Sequence, residues 1–383
     1  MAIKYLAGDR LIGTTAERAA LTTTVTGSPT ANAWKEIKRF TSTGSQNELD
    51  TGTFPAKDNL MFLIYIPIVS NNHDPKLTFN GDSDSATTYD YLRSTAGGQA
   101  VTTTGTYFTD LYMHGGDAAQ FVVGEIINTG THKNIRYQGV TSGTAGTTAT
   151  QRREWYCAYN NSSAITSMKV HSGTGTDYNF PSGSEIVVLG MDNDETATSG
   201  ASASPTHTDN PFWNQLGAID TLTGDGVMHS TFADKNYLYT ELFAARTTNG
   251  NKGFFPNDDN SSSTTPCTFV YNANGQDSDG SVTSREAIQT TSADNNDEFS
   301  FTRCWIANPD DKEKLFIVQT TEANSDGDTY NTQNPPQRAE MAGKWTATNE
   351  GIEKLSVSDG DGRVGGSYGN FKTGSFMRVW GND

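Results

Sequence analysis

The chain carries one structural programme twice, and this repetition limits its fold more than any other property. Residues 121–128 read Phe-Val-Val-Gly-Glu-Ile-Ile-Asn and residues 301–308 read Phe-Thr-Arg-Cys-Trp-Ile-Ala-Asn, a spacing of 301 − 121 = 180. Trp34, within Ala-Trp-Lys-Glu-Ile, stands against Trp213, within Phe-Trp-Asn-Gln-Leu, at 213 − 34 = 179. The closings agree best: residues 179–190 (Asn-Phe-Pro-Ser-Gly-Ser-Glu-Ile-Val-Val-Leu-Gly) face residues 370–381 (Asn-Phe-Lys-Thr-Gly-Ser-Phe-Met-Arg-Val-Trp-Gly) at 370 − 179 = 191. Trp155 is matched to Trp345 at 345 − 155 = 190. Anchors that keep one order while their offsets drift by loop insertions mark a duplicated fold unit.

The unit is read as all-β. Thr, Ser, Asn, Asp and Gly fill the spaces between short apolar runs, as happens where many turns join many strands. Residues 60–69 (Leu-Met-Phe-Leu-Ile-Tyr-Ile-Pro-Ile-Val) are apolar without alternation, which predicts a central strand covered on both sides. Residues 77–82 alternate and then enter Asn80-Gly81, a hairpin signal. Further strands are expected at 119–127, 134–138, 153–159, 165–171 and 185–191. Their second-unit counterparts are expected at 237–245, 268–271, 298–307, 314–320, 343–348, 352–357 and 375–380. Strand-length runs at this density predict two β-sandwiches in tandem.

The domain plan follows: an N-terminal arm over 1–30, sandwich 1 over 31–192, a polar linker over 193–209 and sandwich 2 over 210–383. The arm has no counterpart in either copy. Its apolar residues Ile3, Tyr5, Leu6, Leu11 and Ile12 lack a core of their own, so they are expected to dock on a partner or on the chain's own surface.

The formal net charge of −17 opposes nonspecific binding to nucleic acid or anionic membrane, which needs clustered Lys and Arg. No apolar stretch approaches the roughly 20 residues of a membrane span, and the first residues lack the apolar core of a secretory signal. Cys157, Cys267 and Cys304 form neither a disulfide framework nor a Cys-x-x-Cys spacing and are expected as buried thiols in strands. The six histidines are scattered without metal spacing. There is no Gly-x-Ser-x-Gly elbow and no phosphate-binding loop. No catalytic residue is assigned, and the chain is read as non-enzymatic. Exposed aromatics such as Tyr89, Tyr91, Tyr107, Phe108, Trp155, Phe254 and Phe255 are candidates for stacking on sugars, with a core role as the competing reading. Aspartate-rich turns supply the metal candidates: Asp277 and Asp279, and Asp359 and Asp361, could offer oxygen ligands to Ca²⁺. None continues into a full calcium loop, and Asp and Gly are ordinary turn formers, so no cofactor is expected.

The Trp-headed strand, the long apolar strand at 60–69, Phe79-Asn80-Gly81-Asp82 with Tyr89 following, and the closing Asn179-Phe180-Pro181-Ser182-Gly183-Ser184 together carry a resemblance. The pattern resembles tailed-virus structural proteins of the tail-fibre, head-fibre and capsid-decoration type. The opening residues 3–13 look like the leader of structural proteins in viruses of marine microbes. In the second copy residues 271–277 (Tyr-Asn-Ala-Asn-Gly-Gln-Asp) are taken to replace the Phe-Asn-Gly-Asp turn. The resemblance implies jelly-roll-like sandwiches and a structural protein on the virion exterior, made in the host cytoplasm and attached through its arm. The implied partners are other virion proteins and further copies of the chain, a trimer being one form. Three alternatives are a double-jelly-roll major capsid protein, disfavoured by a linker that reads as loose, an adhesin binding a host surface glycan, and a hydrolase acting on a host polysaccharide.

Overall fold

The computed structural model describes residues 34–69, 75–82, 89–95, 98–105, 118–143, 150–171, 179–192, 212–221, 226–245, 252–259, 265–273, 280–285, 287–290, 299–322, 337–359 and 370–383. The regular elements described are all strands. The first unit comprises β1 (Lys35–Thr41), β2 (Glu48–Thr53), β3 (Asn59–Val69), β4 (Lys76–Phe79), β5 (Tyr89–Thr95), β6 (Gly98–Gly105), β7 (Ala118–Ile127), β8 (Lys133–Thr141), β9 (Gln151–Tyr159), β10 (Ser167–His171) and β11 (Glu185–Met191). The second comprises β12 (Asn214–Thr221), β13 (Met228–Thr231), β14 (Tyr237–Ala244), β15 (Lys252–Pro256), β16 (Cys267–Ala273), β17 (Gly280–Arg285), β18 (Ile288–Gln289), β19 (Ser300–Ala307), β20 (Lys314–Glu322), β21 (Gln337–Trp345), β22 (Lys354–Asp359) and β23 (Phe376–Asn382).

Each unit is a large antiparallel sheet backed by a small one. The first large sheet runs β1-β11-β3-β7-β8-β9-β5-β6 and the second runs β12-β23-β14-β19-β20-β21-β16-β17, the same order strand for strand. The small sheets, β2-β10-β4 and β13-β22-β15, correspond in the same way, and the second gains β18 at its edge. The tandem all-β sandwiches expected from the sequence are therefore present. Their described strands divide eight against three and eight against four, whereas a jelly roll distributes eight strands between two sheets.

Side-chain alternation assigns each face of the large sheets its own core. In β3, Leu60, Phe62, Ile64 and Ile66 point to the small sheet, while Met61, Leu63 and Tyr65 point away from it. The second set packs against Tyr237, Tyr239, Trp305, Leu315, Ile317 and Trp380 of the second unit. The order through the molecule is thus small sheet, large sheet, large sheet, small sheet. Double coverage explains why 60–69 reads as an unbroken apolar run. Close approach adds a local demand: a Cβ on Gly124 of β7 would lie 2.1 Å from the Phe62 ring on neighbouring β3.

Three expectations need correction. Asn80-Gly81 does form a turn, closed by the Asp82 amide donating to the Phe79 carbonyl at 2.9 Å, with Asn80 and Gly81 at φ 54° and 68°. It does not form a hairpin, because β4 pairs with β10 while β5 pairs with β6 and β9 in the other sheet. Its counterpart is not 271–277 but Asn257-Asp258 after β15, with φ 49° and 55°. Both asparagines serve the returning strand: Asn80 Oδ1 accepts from the Thr166 amide at 2.8 Å, and Asn257 Oδ1 from the Glu353 amide at 2.9 Å. Asn and Asp tolerate this left-handed backbone, so glycine is not required there. Finally, the counterpart of Trp345 is Tyr159 rather than Trp155. Tyr159 opposes Lys133 as Trp345 opposes Lys314. The Tyr159 hydroxyl donates to Asp82 at 3.2 Å and Trp345 Nε1 to Asp259 at 3.0 Å.

Candidate functional site: the seam between the sandwiches

Two polar positions, an asparagine and a lysine, recur in both copies, and all four side chains bond main chain. Asn128 follows β7, donates to the carbonyls of Lys57 and Ile165 and accepts from the Ile165 amide at 2.7 Å. Asn308 does the same after β19 with Lys235, Ile352 and the Ile352 amide at 2.7 Å, and donates also to Asp234. Lys133 is buried, with its ammonium on the carbonyls of Gly130, Asn161 and Ser162 at 2.6–3.3 Å. Lys314 is buried on the carbonyls of Asp310, Lys312 and Ala347 at 2.8–3.3 Å. Burial lowers both lysines, Lys314 to about 8. The sequence signals were present, since the asparagines close the matched octads, but their distant partners are not readable from spacing.

Where the two large sheets meet, counterpart residues meet each other. Gln319 of β20 donates to Gln138 of β8 at 2.7 Å, and these occupy matching positions opposite Glu340 and Glu154. Glu154 and Glu340 lie side by side, 3% and 2% exposed. Arg152 donates to Glu340 at 2.8 Å, Arg136 lies 2.9 Å from Glu154 and 3.3 Å from Glu340, and Arg338, the counterpart of Arg152, lies 3.7 Å from Glu340. A residue touching its own equivalent is the signature of a two-fold relation between copies. Burial and the adjacent Glu154 charge push the Glu340 carboxyl up to about 7, against Arg152 and Arg338. Burial acts likewise on Glu154, but hydrogen bonds from Glu340 and Tyr156 and the Arg136 charge outweigh it and hold that carboxylate at about 2. The two carboxylates titrate as a coupled pair, Glu340 raised and Glu154 lowered.

At one end of the seam opens a cleft of about 460 Å³. The first unit supplies Tyr65, Pro67 and Ile68 from the end of β3, where the pairing with β7 slips between Ile66 and Val69. It also supplies the turn Pro181-Ser182-Gly183, which has the Ser184 amide on the Pro181 carbonyl at 3.0 Å. The second unit contributes Asn236 and Tyr237 at the start of β14 and Pro309, Asp311 and Lys312 after β19. Glu185 accepts from Arg39 at 3.1 Å, Thr41 at 2.6 Å and Tyr237 at 2.8 Å. Lys312 pairs with Asp311 at 3.0 Å. The Tyr65 hydroxyl is buried and has no hydrogen-bond partner among the described residues, and burial, with Asp311 and Glu313 near it, raises its pKa.

The residues singled out in the sequence lie elsewhere. Ile3, Tyr5, Leu6, Leu11 and Ile12 of the arm fall outside the described residues, as do Asp277, Asp279, Asp361, Tyr107, Phe108 and the linker 193–209. Asp359 ends β22, paired with Lys252. Among the described residues no group of three or more His, Cys, Asp or Glu is gathered to hold a metal. Trp155, Phe254 and Phe255 are core residues, which removes them as sugar-stacking candidates. The three cysteines are free and buried in β9, β16 and β19, as expected, and burial pushes each thiol up. No family model and no curated protein matches the chain.

Proposed function

We propose that this chain is a non-enzymatic structural protein of a virus particle, displayed on the exterior and attached through its N-terminal arm. The observation that carries the reading is the use made of buried polar groups. Lys133, Lys314, Asn128 and Asn308 tie turns to strands, and the Gln138, Gln319, Glu154 and Glu340 centre ties one sandwich to the other. Such investment suits a part that must hold shape under mechanical and chemical stress. The resemblance to tail-fibre, head-fibre and decoration proteins points the same way, and a net charge of −17 suits an outer surface better than one facing packaged DNA. Assembly as a homo-oligomer, with a trimer as one form, fits the closed symmetry usual on particles.

A major capsid protein is the second reading, and one observation favours it: the sandwiches share a continuous apolar seam, which removes the objection raised by a loose linker. Deleting residues 1–25 tests the attachment. The folded truncated protein is expected to be absent from purified particles, and full occupancy would refute the arm's role. Mild chaotrope then separates the two readings. Release of the chain from closed, DNA-filled shells supports decoration, and collapse of the shells identifies the shell protein itself.

A further inference from the structure

We infer that two copies of this chain dock onto each other through the outer end of the second large sheet, where β14, β19 and β23 run past the seam. The surface serves the homo-oligomer proposed above, but its test needs no particle and is independent of where the chain resides.

Three rows of side chains cross these strands on the face turned to the first unit. Trp380, Tyr239 and Trp305 are paired across β23, β14 and β19 and belong to the seam. The next row on that face is Arg378, Glu241 and Arg303, and the last is Phe376, Phe243 and Phe301. The first unit places Val187, Leu63 and Val123 where the second has its charged row, at 378 − 187 = 191, 241 − 63 = 178 and 303 − 123 = 180. Those three are covered, Leu63 and Val187 being 0% and Val123 5% exposed. In the second unit Arg303 is exposed, and Phe243, Phe301 and Phe376 are only half-buried.

The patch is built from interlocked groups. Phe243 packs on Phe376 with ring centroids 5.6 Å apart and stacks on Phe299 at 4.6 Å. Arg378 lies over the Phe376 ring at 4.9 Å and Arg303 over Phe301 at 5.7 Å. Both guanidiniums are thereby held in place, and neither enters an ion pair among the described residues. Aromatic rings beside arginine are the composition favoured at the centres of protein interfaces.

The charge pattern selects a second copy as the occupant. Along the middle row the signs run positive, negative, positive, so the row complements itself about a two-fold axis. Arg303 meets the partner's Glu241, Glu241 meets the partner's Arg303, and the phenylalanines close over each other. The contact also extends an existing one, since the adjoining row of this face already packs on the sister sandwich. The chain's own arm fits less well. Lys4, Arg10 and Arg18 against Asp9 and Glu17 give it a formal charge of 3 − 2 = +1, which sets more positive charge beside two unpaired arginines.

Sedimentation equilibrium of the full-length protein tests this at about 0.15 M salt, where screening beyond about 8 Å suppresses the general repulsion between acidic chains. A dimer with a Kd of order 10 µM is expected. Arg303→Glu and Glu241→Arg should each weaken it about hundredfold, because each brings like charges together twice across the axis. Mixed in equal amounts the two variants should associate again, every contact between them being of opposite sign. Arg303→Glu, at an exposed position, should melt within about 2 °C of the parent, and it decides the question alone if the other variant melts early. The inference is overturned if the parent stays monomeric at about 100 µM, ten times the expected Kd. It is overturned equally if Arg303→Glu associates like the parent, or if the mixture of two folded variants stays monomeric.

Discussion

Replacing Asn308 by alanine would strand several partners at once: the carbonyls of Lys235 and Ile352, the Ile352 amide and the Asp234 carboxylate. Each buried group left without a partner costs about 1–3 kcal/mol, so Asn308→Ala should lower the unfolding free energy by about 3 kcal/mol. Urea denaturation at neutral pH checks this, and a loss below about 1 kcal/mol would show that water or a neighbour replaces the amide. The sequence displays Asn128 and Asn308 at matching positions but not their use. The amide of Ile352 lies 44 residues from Asn308 and that of Ile165 lies 37 from Asn128, and no local pattern encodes such a reach. The same holds for Lys133 and Lys314, whose apolar surroundings appear only after folding. Glu154, Glu340 and Arg152 went unremarked because a charged residue within a strand ordinarily reads as solvent-facing.

At the scale of strands, legibility followed burial. Strands covered on both faces, such as β3, β7, β14 and β19, were read nearly to their ends from apolar runs. The small-sheet strands β4, β10 and β22 were read, but β2, β13, β15 and β18 and most strands at the edges of the large sheets were missed. β1 is Lys-Glu-Ile-Lys-Arg-Phe-Thr, β13 has four residues, and β5, β6 and β17 are threonine- or serine-rich pieces of the sheet flank. Their pairing partners, rather than their composition, make them strands. The Asn80-Gly81 hairpin failed for a related reason. Turn chemistry fixes the local reversal, but which sheet receives the next strand depends on the core. Packing between β3 and β7 gives a test of this core. Gly124→Val drives a side chain into the space of Phe62 and should destabilise the protein by about 3 kcal/mol, the upper end for overpacking. Adding Phe62→Leu should recover part of that loss. Calorimetry of the two variants decides it, and additive losses would mean that the strands relax without help from residue 62.

For the whole molecule, the seam makes stability depend on pH in a specified direction. Glu340 is raised from its ordinary 4.5 to about 7, so the folded protein holds this proton more tightly than the unfolded chain. Its contribution is complete below about pH 4.5 and is lost as pH rises towards 7. Glu154, held at about 2, contributes above about pH 4.5 and loses that contribution as pH falls towards 2. Glu340→Gln keeps a neutral side chain at every pH. Its Tm relative to the parent should therefore rise between about pH 5 and 7. A difference that stays flat over this interval, in melts followed by tryptophan fluorescence, would mean that both carboxylates are ionised against Arg136, Arg152 and Arg338.

The meeting of each residue with its own counterpart has a consequence for dilution. Two separate one-sandwich chains joined through the same surfaces would obey mass action and part at low concentration. On one chain the second association is intramolecular, at an effective concentration that for a short connection is of order millimolar. The joined form then persists however few molecules are present. The two positions of a pair are also free to diverge, as Glu154 and Glu340 have in their hold on a proton, which identical subunits could do only by breaking their symmetry.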